Sequence, residues 1–407
     1  MKSTLIFFII SSMMFISGCS KEDRGDILSG LPDKPTPVIT SVSPSVAYGG
    51  DEAVITGSGF SVKPSENLIT FGPHKAFGYK SVRPYEATAT ELKFKLPILS
   101  GDSTDITSDM RVSLLHDADP ERSNALPFTF KLLYFTKILD EEIGWPGGID
   151  VDADTNVYVG GRNDEVIYKI AKDGTKSVFA NVATKGAMHF GPEGWLYFCN
   201  LDDDMIHRVS ADGKTVEEYV SCPNPVDFDW DANGNLWIIS TEYWDSPPFD
   251  MGVFVWDGTT LTKAVDIAGS GNAKSCRVFD GHLYVAGVDW DMSNGYGGYL
   301  YKYPIDGKKL GTRVDLILTM DSDDFPLGFD IDEKGTIYYA MAWQQSLFTL
   351  TQSGVKGVMY KDQLQTPSRF ITFFGKAVYI VYPGGGDVGQ VMMANIGIKQ
   401  APRYGRK

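Results

Sequence analysis

Four cysteines and five histidines are few for a chain of 407 residues, and no apolar stretch is long enough to span a bilayer. The longest, from Leu5 to Ile16, is about twelve residues, where a spanning helix needs roughly 20. The cysteines, Cys19, Cys199, Cys222 and Cys276, include no close-spaced pair. That excludes a zinc knuckle and gives no disulfide framework. The last three read as small core residues. His74, His116, His189, His207 and His282 lack metal-ligand spacing. His189 is the best placed, on a strand that would line a channel, yet no nucleophile accompanies it. Positive charge is also scarce. Lys and Arg number 37 against 52 Asp and Glu, a net charge of −15. A surface this acidic repels phosphate backbones and anionic lipid, so nucleic acid is excluded as a partner.

The chain begins Met1-Lys2, runs through the apolar stretch, and reaches Ile16-Ser17-Gly18-Cys19 followed by Ser20-Lys21-Glu22-Asp23. One early Lys, a short apolar core and small residues before a cut site form a secretory signal over residues 1–18. Ser-Gly-Cys resembles the lipobox of bacterial lipoproteins. The resemblance implies that Cys19 is the lipidated mature N-terminus, more than one acyl chain being needed for stable anchoring. Lys21-Glu22-Asp23 resembles the export tag that carries some lipoproteins to the outer face of the outer membrane. Residues 19–34 have charge, Gly and Pro without periodicity, as a flexible tether has.

Length predicts more than one domain, and 43 Gly and 21 Pro at turn-like spacings predict an all-β fold. From Pro37 short β-branched alternations are broken by Pro and Gly pairs. They run Val38-Ile39-Thr40-Ser41-Val42-Ser43-Pro44, Gly49-Gly50, and Val54-Ile55-Thr56-Gly57-Ser58-Gly59-Phe60. Further strands are expected at Leu68–Phe71, Leu92–Leu96, Met110–Leu115 and Phe128–Leu132. This series resembles the IPT/TIG family of immunoglobulin-like domains over residues 35–132, which implies a β-sandwich; in a lipid-tethered chain it reads as a rigid spacer, the alternative being a binding module in its own right. Gly57-Ser58-Gly59 is no nucleophile elbow, since no helix signal follows it.

Residues 133–400 repeat. Short strands carry an aromatic at Tyr158, Tyr197, Trp237, Tyr284, Tyr338 and Tyr379, spaced 39, 40, 47, 54 and 41 residues apart. Intervals near 40 fit four-stranded propeller blades. First-strand motifs precede them, clearest in Gly148-Ile149-Asp150-Val151-Asp152, Val226-Asp227-Phe228-Asp229 and Gly328-Phe329-Asp330-Ile331-Asp332. The sixth unit lacks a fourth strand, and Tyr134–Leu139 belongs to no complete repeat. That segment is expected to close the ring and leave no open edge. Residues 401–407 are set apart as a basic tail. Asn156–Asn163 with Val166–Ile170, and Asn235–Ile238, resemble NHL repeats, so a six-bladed NHL-like propeller follows the immunoglobulin-like β-sandwich.

Propeller ligands bind the face lined by loops entering the first strand and joining the second to the third. The second-to-third loops hold Arg162 and Asn163, Asn200–Asp204, Glu242, Tyr243 and Trp244, Asp289 and Trp290, Trp343 and Gln344, and Tyr382. Trp145 stands at the same rim. Rings beside carboxylates and amides suit a sugar, which presents C–H faces together with hydroxyls. These residues are therefore the expected binding set. Trp237 and its counterparts are core, and Trp195, Trp230 and Trp256 read as packing or turn residues. Asp202, Asp203 and Asp204 are the weak candidates for calcium, the one cofactor considered. No catalytic set is assigned.

The expected protein is a non-enzymatic outer-membrane lipoprotein facing the cell exterior, holding a glycan for a neighbouring uptake system. It resembles accessory binding lipoproteins of starch-utilisation-like complexes. A metal-dependent hydrolase of the six-bladed lactonase type and a protein-binding scaffold are the alternatives. Lactonases of the gluconolactonase type carry a metal-binding Glu where this chain has Trp145-Pro146-Gly147-Gly148.

Overall fold

The computed structural model describes residues 36–97, 99, 105–115, 122–131, 135–139, 141–241, 251–267, 271–289, 295, 297–319, 324–360, 364, 369–383 and 388–404. They form an all-β molecule of two parts. Cys19 and the Lys21-Glu22-Asp23 tag lie outside the described residues.

The first part is a two-sheet sandwich. One sheet pairs Val38–Ser43, Glu52–Ser58, Glu91–Lys95 and Glu86–Ala87. The other pairs Val46–Tyr48, Leu126–Lys131, Ile106–Leu114, Asn67–His74 and Gly78–Val82. Val46–Tyr48 runs parallel to Leu126–Lys131. Phe71, Phe94, Phe128 and Phe130 are fully buried between the sheets. Phe71 and Phe130 meet edge to face at 4.9 Å, a favoured geometry for aromatic pairs.

The second part is a ring of six sheets. Their inner strands are Pro146–Val151, Met188–Phe190, Pro225–Trp230, Gly271–Phe279, Pro326–Ile331 and Phe370–Phe374. The repeated aromatics fall in the second strands and are all buried, Trp237 completely. Second strands lie between neighbouring blades, so Leu236–Ser240 and Ile337–Met341 are buried throughout. Outer strands such as Val216–Ser221 alternate toward solvent.

A recurring carboxylate fixes the turn between the first two strands. Asp152 Oδ1 accepts the backbone N–H of Asn156 at 2.8 Å, and its Oδ2 accepts the Tyr158 hydroxyl at 3.0 Å. Asp231 does the same for Asn235 and Trp237 Nε1, and Asp332 for Thr336 and Tyr338. One side chain thus shapes the hairpin and satisfies the buried aromatic's polar tip, which a buried hydroxyl or indole requires. Each such turn needs one residue with positive φ: Gly234 at 84°, Gly335 at 78°, and in blade one Thr155 at 68°.

Closure uses the segment before blade one. Thr136 and Lys137 pair with Met393 and Met392, and Ile143 and Gly144 pair with Gly389 and Val388. Two short pieces therefore make the outer strand of blade six, while Phe135 and Leu139 are buried beside it. Tyr134 lies outside the described residues.

The sandwich touches one end of the ring. Tyr48 packs on the apolar cluster containing Ile396, and Lys376 lies 3.9 Å from Asp51. Lys376 sits in the turn between the first and second strands of blade six. Such turns lie on the face opposite the second-to-third loops.

Candidate functional site

Inner strands run from the loop face towards the opposite face. The residues opposite the six second-strand aromatics are Asp150, His189, Asp229, Arg277, Asp330 and Thr372. With Asp227 they form a buried belt that ties each blade to the next. Asp150 accepts Phe190 N at 2.7 Å. His189 Nε2 donates to Asp227 at 2.8 Å. Asp227 accepts Cys276 N and Arg277 Nη1, both at 2.9 Å. Arg277 Nε lies 3.6 Å from Asp330. Asp330 accepts Phe373 N at 2.6 Å, and Thr372 donates to Asp150 at 3.0 Å, closing the circle.

The belt's electrostatics are uneven. His189 is fully enclosed, and burial, with the charges of Arg277 and Arg403, pulls its pKa down to about 4. It is therefore a neutral ring at pH 7, with Nδ1 accepting from Arg403 at 3.4 Å. Burial alone would raise the Asp227 carboxyl, but Arg277 and His189 hold it below the usual range. Asp229, with backbone donors and more distant guanidiniums, is raised by its burial. Arg403 comes from the segment the sequence sets apart as a tail. Ala401 N donates to Ile331 O, and the Arg403 guanidinium enters the channel and binds Asp330. Residues 401–404 thus belong to the propeller's lower end. Beside them Trp230, Asp231, Phe279, Glu333 and Tyr404 wall a cavity of about 650 Å³ on that lower face.

The upper end, on the loop face, is different. At the heads of the inner strands of blades three and four, Asn224, Thr241, Asn272 and Lys274 form a hydrogen-bonded chain. Thr241 N donates to Asn224 O at 3.2 Å, and Thr241 Oγ1 donates to Asn272 Oδ1. Lys274 Nζ donates to the same Asn272 oxygen at 2.8 Å. A β-bulge between Ala273 and Ser275 takes Lys274 out of the ladder. Burial lowers the Lys274 amine to about 7, and the nearby Arg369 charge pushes the same way. Asn224 Nδ2 and Ser240 Oγ are buried without a partner.

The expected binding residues are placed as follows. Trp145 is half-buried with φ 30°, and its carbonyl accepts Arg162 N at 3.0 Å, so these two share one corner of the rim. Asn163 is exposed beside them. Trp343 is 62% exposed, and its neighbour Gln344 donates to Asp324 at 3.1 Å. Asp289 is 3% exposed, a buried strand-end residue instead of a loop-tip acid, because its own N–H is tied to Gly297 O at 2.7 Å. Tyr382 lies in the second strand of blade six, Ala377–Pro383. Glu242, Tyr243, Trp244 and Trp290 lie outside the described residues. The three aspartates turn to separate partners. Asp202 pairs with Lys185, Asp203 with His207 and Asn200, and Asp204 accepts Asn224 N. Among the described residues, no three His, Cys, Asp or Glu side chains converge as a metal ion would need.

This is a sandwich-plus-propeller protein whose loop face carries a polar channel mouth. Residues 37–130 match the IPT/TIG domain family, which assigns the sandwich. Among curated proteins, none matches the chain. Its solved structural relatives include an auxiliary nutrient binding protein from Bacteroides thetaiotaomicron. That protein is 14% identical with a TM-score of 0.51, over 89% of this chain and 98% of that one. A gluconolactonase from Xanthomonas campestris matches at 16% identity and TM-score 0.52, over 64% and 90%. The calcium-binding protein regucalcin from Agrobacterium tumefaciens matches at 14% and 0.53, over 67% and 96%. At these identities the likeness is one of fold. Among the described residues, no helix is long and apolar enough to cross a membrane.

Proposed function

We propose that this is a non-enzymatic lipoprotein, anchored through Cys19 to the outer membrane and facing outward, that holds a glycan on its propeller for a neighbouring uptake system. The observation that carries the reading is the polarity of the ring. Stalk contacts and the C-terminal segment occupy the lower face, so the second-to-third loops and the polar mouth point away from the stalk. A tether, a sandwich spacer and an outward binding face are the order that display of a site above a membrane requires. Likeness in fold to a nutrient binding protein over 89% of this chain supports the same organisation.

Among the described residues Trp343 is an exposed ring of this face, and stacking is how a flat side chain grips a sugar. Aromatic stacking on nucleic-acid bases is worth about 1–3 kcal/mol, and a similar grip makes Trp343→Ala weaken glycan binding about five- to a hundred-fold. The test is titration of soluble residues 20–407 against a glycan panel, with thermal melting measured on the same samples. A ring 62% exposed adds little to the core, so the melt should not move. A panel without any binder would refute the glycan reading.

A further inference from the structure

Most buried cations of the propeller have a carboxylate. Arg277 has Asp227, Arg403 has Asp330, and Lys185, mostly covered, has Asp202. Among the described residues the part-buried Lys274 is the exception. Its amine has one acceptor, the neutral Asn272 amide, and the charged neighbour that acts on it is another cation, Arg369. A part-buried ammonium without an anion beside it is destabilised, and a protein with net charge −15 has carboxylates to spare. The bulge that sets Lys274 outside the ladder costs a regular pairing as well. A purely structural position would hold Met or Leu at less cost. Asn224 adds a buried amide N–H group with no acceptor at the head of the adjoining strand, and such a group calls for a partner.

We propose that the channel mouth at Lys274, Asn272 and Asn224, flanked by Arg369, receives an anionic oxygen group of the ligand, the carboxylate or sulfate ester of an acidic sugar. An ammonium and an amide donor together match such a group, and the positive charge of Arg369 nearby adds to the attraction, charge-assisted bonds being about twice as strong as neutral ones. This assignment rests on the glycan reading above and narrows it to acidic glycans.

The test uses soluble residues 20–407 with 13C-methylated lysines, the Lys274 resonance being assigned by its loss in Lys274→Met. Galacturonate, sodium sulfate and galactose are titrated in turn, and calorimetry follows oligogalacturonide, chondroitin sulfate and neutral galactan fragments. Galacturonate or sulfate should shift the Lys274 signal while galactose does not, and the arm that shifts it identifies the group. Lys274→Met should weaken the acidic fragment tenfold or more and leave the melting temperature equal or higher. Binding of neutral galactan with no movement of Lys274 by either anion would overturn this inference and leave the glycan reading standing. A shift by free anion with no oligosaccharide bound would do the reverse. No shift and no binding would remove both.

Discussion

Arg403 is the residue whose replacement probes the propeller's interior most directly. Four carboxylates, Asp150, Asp227, Asp229 and Asp330, face the axis, with Arg277 and Arg403 as the guanidiniums against them. The Arg403 side chain is 6% exposed and that of Asp330 is 2% exposed. Arg403→Met keeps the stem's volume and removes the charge. Breaking a buried pair by removing one partner costs about 3–5 kcal/mol. Proton uptake caps the loss, because Asp229 is already raised by burial and Arg403 is among the charges holding it down. We therefore expect about 3 kcal/mol at pH 7. For a domain of this size each kcal/mol moves Tm by about 2–4 °C, so the shift is about 6–12 °C. The assay is thermal unfolding by near-ultraviolet circular dichroism, with Asp330→Asn alone and in combination. The double variant should recover part of the loss, since residues in one charge network are not additive. An Arg403→Met melt within about 1 °C of the parent would refute the assignment of this cation to the channel.

His189 is neutral in the fold with a pKa of about 4, below the usual 6.5 or so, so the unfolded chain takes the proton first. Stability should fall as pH drops from about 6.5 to about 4, by up to about 3 kcal/mol; His189→Gln should lose that part of the slope in urea titrations at pH 7, 6 and 5. Thr155 holds a left-handed φ where Gly234 and Gly335 stand in other blades, and a β-branched residue is strained there. Thr155→Gly should raise stability by about 0.5 kcal/mol once the added freedom of the unfolded chain is counted, while Gly335→Ala should lower it by 1 kcal/mol or more; a melt moving the opposite way in either would refute the turn argument. Cys19→Ser should move the protein from the membrane pellet to the soluble fraction, and protease added to intact cells should cut the parent; protection with membrane retention would sink the surface claim and spare the lipid.

The repeat was legible because its chemistry is local. An aromatic every 40 residues or so, and a carboxylate six residues before it at Asp152, Asp231 and Asp332, are contacts within one hairpin. The closing segment was legible by elimination, since Tyr134–Leu139 had no repeat of its own. The belt was half legible. Asp150 and Asp330 stand in the repeated motif, but their partners lie in other blades, Thr372 being 222 residues from Asp150. Arg403 carried no signal, because four residues of unpatterned chain gain a place only from the channel they enter. At the mouth, the inner-strand loops were expected to line the binding face, yet the residues singled out, Trp145 apart, came from the second-to-third loops. Lys274 sits in a strand of mixed Asn, Lys, Ser and Arg, and the bulge that exposes its amine to the mouth has no sequence mark.

The order of charge along the axis explains why the mouth and the belt do different work. Lys274 and Arg369 stand near the upper ends of inner strands, the four carboxylates below them, and Arg403 at the lower end. An anionic group entering from the loop face meets donors first and acids next. Burial strengthens both interactions, since charges in a poorly screened interior act more strongly than in water. The belt is thus an electrostatic floor, and the Arg403 segment crosses the channel beneath it. On the acidic-glycan proposal made above, a sugar's charged substituent would sit at the mouth and the rest of the glycan would lie across the rim where Trp343 is exposed. Passage of the ligand through the ring is opposed twice, by the acidic belt and by the segment that carries Arg403.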